Sequence, residues 1–102
     1  NTIITALEDL KANDIAVLFV AESSTITDWM VIASGTSNRH VKALANNVEV
    51  EAKQSGFKSL SAEGNDTAEW VLVDFGDVIV HVMLPGTREF YDLESLWTLK
   101  PV

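Results

Sequence analysis

The sequence predicts an α/β (α+β) fold of a single domain with a mixed sheet of about five strands. Two apolar runs, Trp70 to Phe75 and Val78 to Leu84, are separated by Gly76-Asp77. Glycine in a two-residue gap indicates a tight hairpin, because such turns need a positive φ. Other strand-length apolar runs lie among segments whose apolar residues recur at helical spacing. At 102 residues the chain can build one core and is too short for two.

The remaining elements follow from the same patterns, and their predicted order is α-β-β-α-β-β-β-α. The apolar stripe Ile4, Leu7 and Leu10 predicts the first helix. Ser34-Gly35-Thr36-Ser37 precedes the second helix, where a serine or threonine caps it, and Gly56 ends it. The predicted segments outside the hairpin are helix Asn1 to Lys11, strand Ile15 to Val20, strand Asp28 to Ala33, a helix running to about Gln54, strand Phe57 to Ala62, and a last helix capped by Thr87 that carries Phe90, Leu93, Leu96 and Trp97.

Alternation of side chains gives the predicted hairpin two different faces. The aliphatic face carries Val71, Val73, Phe75, Val78, Val80, Val82 and Leu84. Such a face is typical of a sheet surface covered by helices. The opposite side, called here the mixed face, carries Trp70, Leu72, Asp74, Ile79, His81 and Met83. Its composition predicts a surface that becomes dry only when a partner covers it.

Composition restricts the class of partner. Fifteen acidic and seven basic residues give a net charge of -8, which argues against direct recognition of nucleic acid, since phosphate binding rests on Lys and Arg. A basic protein is favoured instead. The chain has no cysteine, which excludes disulfides and thiolate metal sites, and no apolar run of membrane-spanning length. With no signal peptide at its start, the sequence predicts a cytoplasmic protein.

Candidates for catalysis are few. His40 and His81 have no companion ligands at metal spacing, so no metal or other cofactor is expected, and no G-x-S-x-G motif is present. The segment Gly35-Thr36-Ser37 admits two interpretations. It is either a helix cap or, together with Asp74 and Asp77, the anion and magnesium site of a nucleotidyltransferase-like enzyme. The helix cap is favoured, because Asp74 and Asp77 straddle a turn and need not converge.

Four groups of residues, taken in order, resemble the ribosomal silencing factor family (RsfS, also called Iojap or DUF143). The resemblance extends from the first helix to Trp97. One departure is Trp29, which stands where a smaller or variable residue is expected. The matching motifs are Ser23-Ser24-Thr25-Ile26-Thr27-Asp28, the run from Ser34 to Val41, Glu63-Gly64 with Trp70 to Val82, and Arg88 to Trp97.

The resemblance implies a nucleotidyltransferase-like fold without enzymatic activity. It also implies binding to the large ribosomal subunit through ribosomal protein number fourteen, which blocks joining of the small subunit and represses translation. Alternatives are a nucleotidyltransferase-like enzyme and a large-subunit assembly factor. A homodimer of the free protein is a further possibility, since exposed apolar faces self-associate. The predicted partner-binding residues are Trp70, Leu72, Asp74, Ile79, His81, Met83, Asp28 and Tyr91.

Trp70 has two competing interpretations. Its position on the mixed face predicts that Trp70→Ala weakens partner binding more than it weakens the fold. A tryptophan in the core would instead make the same change severely destabilising.

Overall fold

The computed structural model describes residues 2–22, 27–64 and 66–93. Within them the order of elements is the predicted α-β-β-α-β-β-β-α. The elements are α1 (Thr2–Asp9), β1 (Asn13–Phe19), β2 (Trp29–Ser34), α2 (Asn38–Gln54), β3 (Ser61–Glu63), β4 (Trp70–Asp74), β5 (Val78–Met83) and α3 (Pro85–Tyr91). No helix in these three ranges has the length and apolar character needed to cross a membrane.

The five strands form one mixed sheet in the order β1-β2-β5-β4-β3, which confirms the predicted fold class. The β2 and β5 strands are parallel, and every other neighbouring pair is antiparallel. The predicted hairpin is β4 and β5, closed by the hydrogen bond from Phe75 N to Val78 O. Gly76 in its turn has a φ of +89°, the conformation for which glycine was expected there.

Helices α1 and α2 pack on the aliphatic face of the sheet. The alternation predicted for the hairpin is confirmed, because Val71, Val73, Val80 and Val82 are fully buried in this layer. The same core takes Leu7 from α1 and four apolar side chains from α2, which recur at helical spacing. Those four are Val41, Leu44, Ala45 and Val48.

Helix α3 lies on the other side of the sheet, against the mixed face. The prediction that Thr87 caps it is wrong: the helix begins at Pro85 after Leu84, and Thr87 lies inside it. Proline suits this first position, since it lacks the amide hydrogen that a helix start leaves unbonded. Arg88 Nη1 donates to Ser34 Oγ over 2.9 Å and ties α3 to β2. The predicted residues Leu96 and Trp97 lie outside the described ranges.

Two further boundaries differ from prediction. The third strand is Ser61–Glu63 and not Phe57 to Ala62, because the amide of Phe57 closes the end of α2 by bonding Ala52 O. Phe57 and Leu60 are consequently exposed. Helix α1 ends at Asp9, since Lys11 adopts a positive φ of 59° and turns the chain toward β1.

Candidate partner-binding face

Strand register places the predicted mixed-face residues in cross-strand rows. Residues that pair directly across neighbouring strands share a face of the sheet. One row runs Ser61, Asp74, Ile79, Met30, Leu18 and the next runs Glu63, Leu72, His81, Ile32, Ala16. A third contains Trp70, Met83 and Ser34. The structure therefore brings six of the eight predicted partner-binding residues onto one surface: Trp70, Leu72, Asp74, Ile79, His81 and Met83.

This face is divided into a closed half and an open half. In the closed half, over β1, β2 and the carboxyl end of β5, the residues Val20, Met30, Ile32 and Met83 form a buried cluster. Leu18, Trp70 and Leu93 pack against it. The open half, over β3, β4 and the amino end of β5, presents Leu72, Asp74 and Ile79 as partly exposed side chains beside the exposed Ser61 and Glu63. The open half thus offers a protein partner both apolar area and a carboxylate.

Trp70 joins the two halves. Its ring packs against the closed cluster and remains partly exposed. Its Nε1–H donates to His81 Nδ1 over 2.9 Å. The ring of Tyr91, from α3, lies with its centroid 4.8 Å from that of Trp70, and Tyr91 is 53% exposed. Trp70 and Tyr91 thus form an aromatic pair at the border of the open half.

His81 is a buried residue of this face that can titrate. It is only 5% exposed, and burial lowers its pKa from 6.5 to about 4, because a charged ring would lose its hydration. Since Nδ1 accepts from Trp70, the proton of the neutral ring lies on Nε2. That buried Nε2 has no acceptor in the described part of the chain. His81 is therefore held neutral and in one tautomer.

Met83 differs from the surface residue that alternation alone would suggest. It is fully buried, directly paired with Trp70 and clustered with Ile32. Because Met83 has no accessible surface in this conformation, a partner could not contact it directly. It instead belongs to the cluster against which Trp70 packs.

Asp74 and Asp28 lie near the amino end of β5. Asp74 Oδ1 accepts from Gly76 N over 2.7 Å, which orients the carboxylate and stabilises the hairpin turn. Asp28 is exposed, and its amide donates to Asp77 O over 3.1 Å. Asp28 precedes β2, so it lies at the edge of the mixed face and not in its rows.

The alternative nucleotidyltransferase-like site is not assembled. Gly35 follows β2 and donates to Met83 O at the carboxyl end of β5, whereas Asp77 immediately precedes the amino end of β5. Six strand residues separate these ends, a distance of about 16 Å. The Gly35 turn and the two aspartates therefore cannot act on one phosphate.

The groups at the start of α2 are already hydrogen bonded. Ser37 Oγ accepts from His40 N over 3.1 Å, which confirms the predicted helix cap. His40 Nδ1 accepts from Thr36 N over 2.9 Å, and its Nε2 donates to Leu10 O over 2.7 Å. His40 thus occupies an amide that an anion would need, and it lies apart from His81, which bonds Trp70.

Sequence reasoning missed Ser61 and Glu63, which border the open half. The predicted third strand stopped at Ala62, one residue before Glu63. In the structure Glu63 pairs with Leu72 and Ser61 with Asp74, which puts both on the mixed face. Alternation along the strand could have identified them. Ala62 packs against the core, so its neighbours Ser61 and Glu63 must point to the opposite face.

Comparisons with known proteins point to one family. The profile described as "Ribosomal silencing factor during starvation" matches residues 1–102. The ribosomal silencing factor RsfS of Chromobacterium violaceum is 51% identical over 94 residues, spanning 92% of this chain and 77% of that protein. A crystal structure of a Chromobacterium violaceum protein superposes with a TM-score of 0.94 at 49% identity, covering 99% of this chain and 85% of the other.

A more distant relative bears a different description. The mouse "mitochondrial assembly of ribosomal large subunit protein 1" is 41% identical over 101 residues. The match spans 96% of this chain and 44% of the mouse protein.

Proposed function

We propose that this chain, which belongs to the ribosomal silencing factor family, is a non-catalytic repressor of translation. In this proposal it binds the large ribosomal subunit through ribosomal protein number fourteen. A bound copy then occludes the surface that the small subunit must reach. Repression by this route needs a docking surface and no reactive group.

The open half of the mixed face is the observation that carries the proposal. Leu72 and Ile79 supply apolar area there, and the Trp70–Tyr91 pair supplies aromatic anchors at its border. Partly exposed aromatic side chains surrounded by aliphatic ones have the composition of binding hot spots.

Charge favours a basic protein as the partner. Asp74 and Glu63 border the open half, and the whole chain carries a net charge of -8. The negative electrostatic potential of such a chain attracts a basic protein surface and repels the phosphates of bare RNA. Binding is therefore expected to weaken as salt rises, since exposed charges are screened.

Large-subunit assembly is a second candidate function, supported by the description of the mouse relative. The same docking surface would serve it. The two functions differ in when the protein binds: an assembly factor occupies immature particles, whereas a silencing factor occupies mature subunits.

Binding to purified ribosomal protein number fourteen tests the proposal directly. We expect calorimetry to detect binding, and we expect the paired change Leu72→Ser with Ile79→Ser to abolish it. Protein-free ribosomal RNA should not compete at physiological salt. A matched control is Phe57→Ser, a change of an exposed aromatic residue that lies beside Phe75 and Val78 on the helix side of the sheet.

Cosedimentation separates the two functions. Mature large subunits incubated with the protein should fail to join small subunits, and the Leu72, Ile79 variant should restore joining. Binding confined to immature particles would instead favour assembly. Tight binding to bare ribosomal RNA, or full affinity in the double variant, would contradict the proposed surface.

A further inference from the structure

The aliphatic face of the sheet is not fully covered by helices. Helix α1 has only eight residues and extends about 12 Å, so it covers one end of β1 and β2 and stops short of the other. At the uncovered end, Phe19 pairs with Trp29 and Val17 with Val31, which puts all four on the helix side. Val17 is 49% exposed, Phe19 56% and Trp29 42%.

These side chains form a structured patch. The rings of Phe19 and Trp29 meet edge to face with centroids 4.8 Å apart. Beside them a cavity of about 380 Å³ is lined by Ile3, Val17, Trp29, Val31 and Val78. Ile3 and Val78 also line a second cavity of about 250 Å³, which continues toward Phe57 and Phe75. Together these features make an apolar groove around the first turn of α1.

Acidic residues border the groove. Asp77 lines the second cavity. Thr2, which also lines that cavity, adjoins a depression containing Asp9 and Glu51. Glu22 and Asp28 are exposed at the same end of the sheet as Trp29. Two basic residues lie close to this groove in the chain: Lys53 near the end of α2, and Lys58, which directly follows Phe57.

We propose that this groove docks a basic amphipathic helix of another protein. One large apolar side chain of that helix enters the cavity beside Trp29, and its Lys or Arg residues face Asp77, Asp9 and Glu51. Apolar grooves with charged borders bind amphipathic helices in this manner. The groove and the mixed face lie on opposite sides of the sheet, so both can be occupied at once.

Other occupants fit less well. A second copy of this chain brings a net charge of -8 against the acidic border. An added strand would need the free edge of β1, but Asp14 has a positive φ of 49° and the register shifts between Asn13 and Ala16. Such irregularity protects an edge from strand pairing.

A model peptide tests the proposal. The probe is a synthetic amphipathic helix of leucine and lysine, and the control replaces every lysine by glutamate. In a Trp70→Phe, Trp97→Phe background, Trp29 is the remaining tryptophan and reports on the groove. We expect the lysine peptide to shift Trp29 emission to shorter wavelength, and Val17→Ser to weaken its binding about tenfold or more. Asp77→Asn should weaken binding and reduce its salt dependence.

The variants Leu72→Ser and Ile79→Ser on the opposite face should leave peptide binding unchanged, which separates this surface from the proposed ribosomal one. Equal binding of the glutamate peptide, or full affinity in the Val17→Ser variant, would overturn the proposal. A dimer in solution that Val17→Ser dissociates would assign the groove to a second copy and also overturn it. Light scattering of both proteins decides that point.

Discussion

The Nε1–H of Trp70 donates to Nδ1 of His81 across two neighbouring strands, at 2.9 Å. The bond fixes the tautomer of a histidine that is almost wholly buried. It also holds the indole ring where Tyr91 can pack against it. The buried side chain of His81 thus helps to position the Trp70–Tyr91 pair that borders the proposed ribosomal surface.

The first prediction concerns pH. The pKa of His81 is about 4 in the folded protein and 6.5 in the unfolded chain, so the unfolded chain alone binds this proton between those values. Stability should fall as pH drops from 6.5 to 4, by about 3 kcal/mol for this one group. Above pH 6.5 the ring is neutral in both states and contributes no slope. Urea unfolding at several pH values measures this.

The control is His81→Gln, whose side-chain oxygen can still accept from Trp70 and does not titrate. Carboxylates titrate in both proteins, so the difference between their pH profiles isolates His81. Parallel profiles would contradict the prediction, as would an NMR titration of the ring with a midpoint near 6.5.

The second prediction concerns Tyr91. Helix α3 has no buried residue, so Tyr91→Ala should cost little stability, while affinity for the large subunit should fall about tenfold. Trp70→Ala is a less selective change. It removes both the packing on Met83 and the bond to His81, and we expect about 3 kcal/mol of destabilisation. Unchanged affinity of folded Tyr91→Ala would remove this residue from the surface.

The third prediction concerns Gly64. Its φ is +92°, and a Cβ atom there would collide with the carbonyl oxygen of Trp70. Gly64→Ala should therefore destabilise the protein by about 2 kcal/mol or more. Gly86→Ala is the matched control, because Gly86 lies in α3 with open space around its Cβ position. In chemical denaturation, Gly64→Ala should have a much lower unfolding midpoint than Gly86→Ala. Similar midpoints would contradict the close contact between residue 64 and the Trp70 carbonyl oxygen.

The fourth prediction concerns nucleotide chemistry. Asp74 and Asp77 lie at the opposite end of β5 from the Gly35 turn, so no magnesium-dependent nucleotidyl transfer is expected. Assays with Mg-ATP and Mg-CTP should give the same background rate for the natural chain and for Asp74→Asn, Asp77→Asn. A turnover that disappears in the double variant would revive the enzymatic alternative.

The hairpin was the part of the fold most fully predictable from sequence. Gly76 identified its turn, and strict alternation assigned Val71 and Val80 to the core, because pleating leaves few choices once one face is buried. Cross-strand register then brought Leu72, Asp74 and Ile79 together as expected. Their role in binding remains a prediction.

Features that depend on distant contacts were not predictable. Alternation alone could not show that Met83 would be buried, since that depends on where Trp70 and the later residue Leu93 pack. The start of α3 was misplaced because Thr87 and Pro85 both suit a helix beginning, and local preference does not choose between them. The strand order followed only from the pairing of β2 with β5.

That parallel pairing has a consequence for how the protein folds. Trp29 pairs with Val78, so nearly half of the chain must be looped out before this contact can form. Local contacts in α2 and the β4–β5 hairpin form faster than such a distant one. During synthesis, β1 and β2 cannot pair with the rest of the sheet until β5, which ends at Met83, has been made. The apolar groove beside Trp29 is therefore completed only when the strand that supplies Val78 has been made.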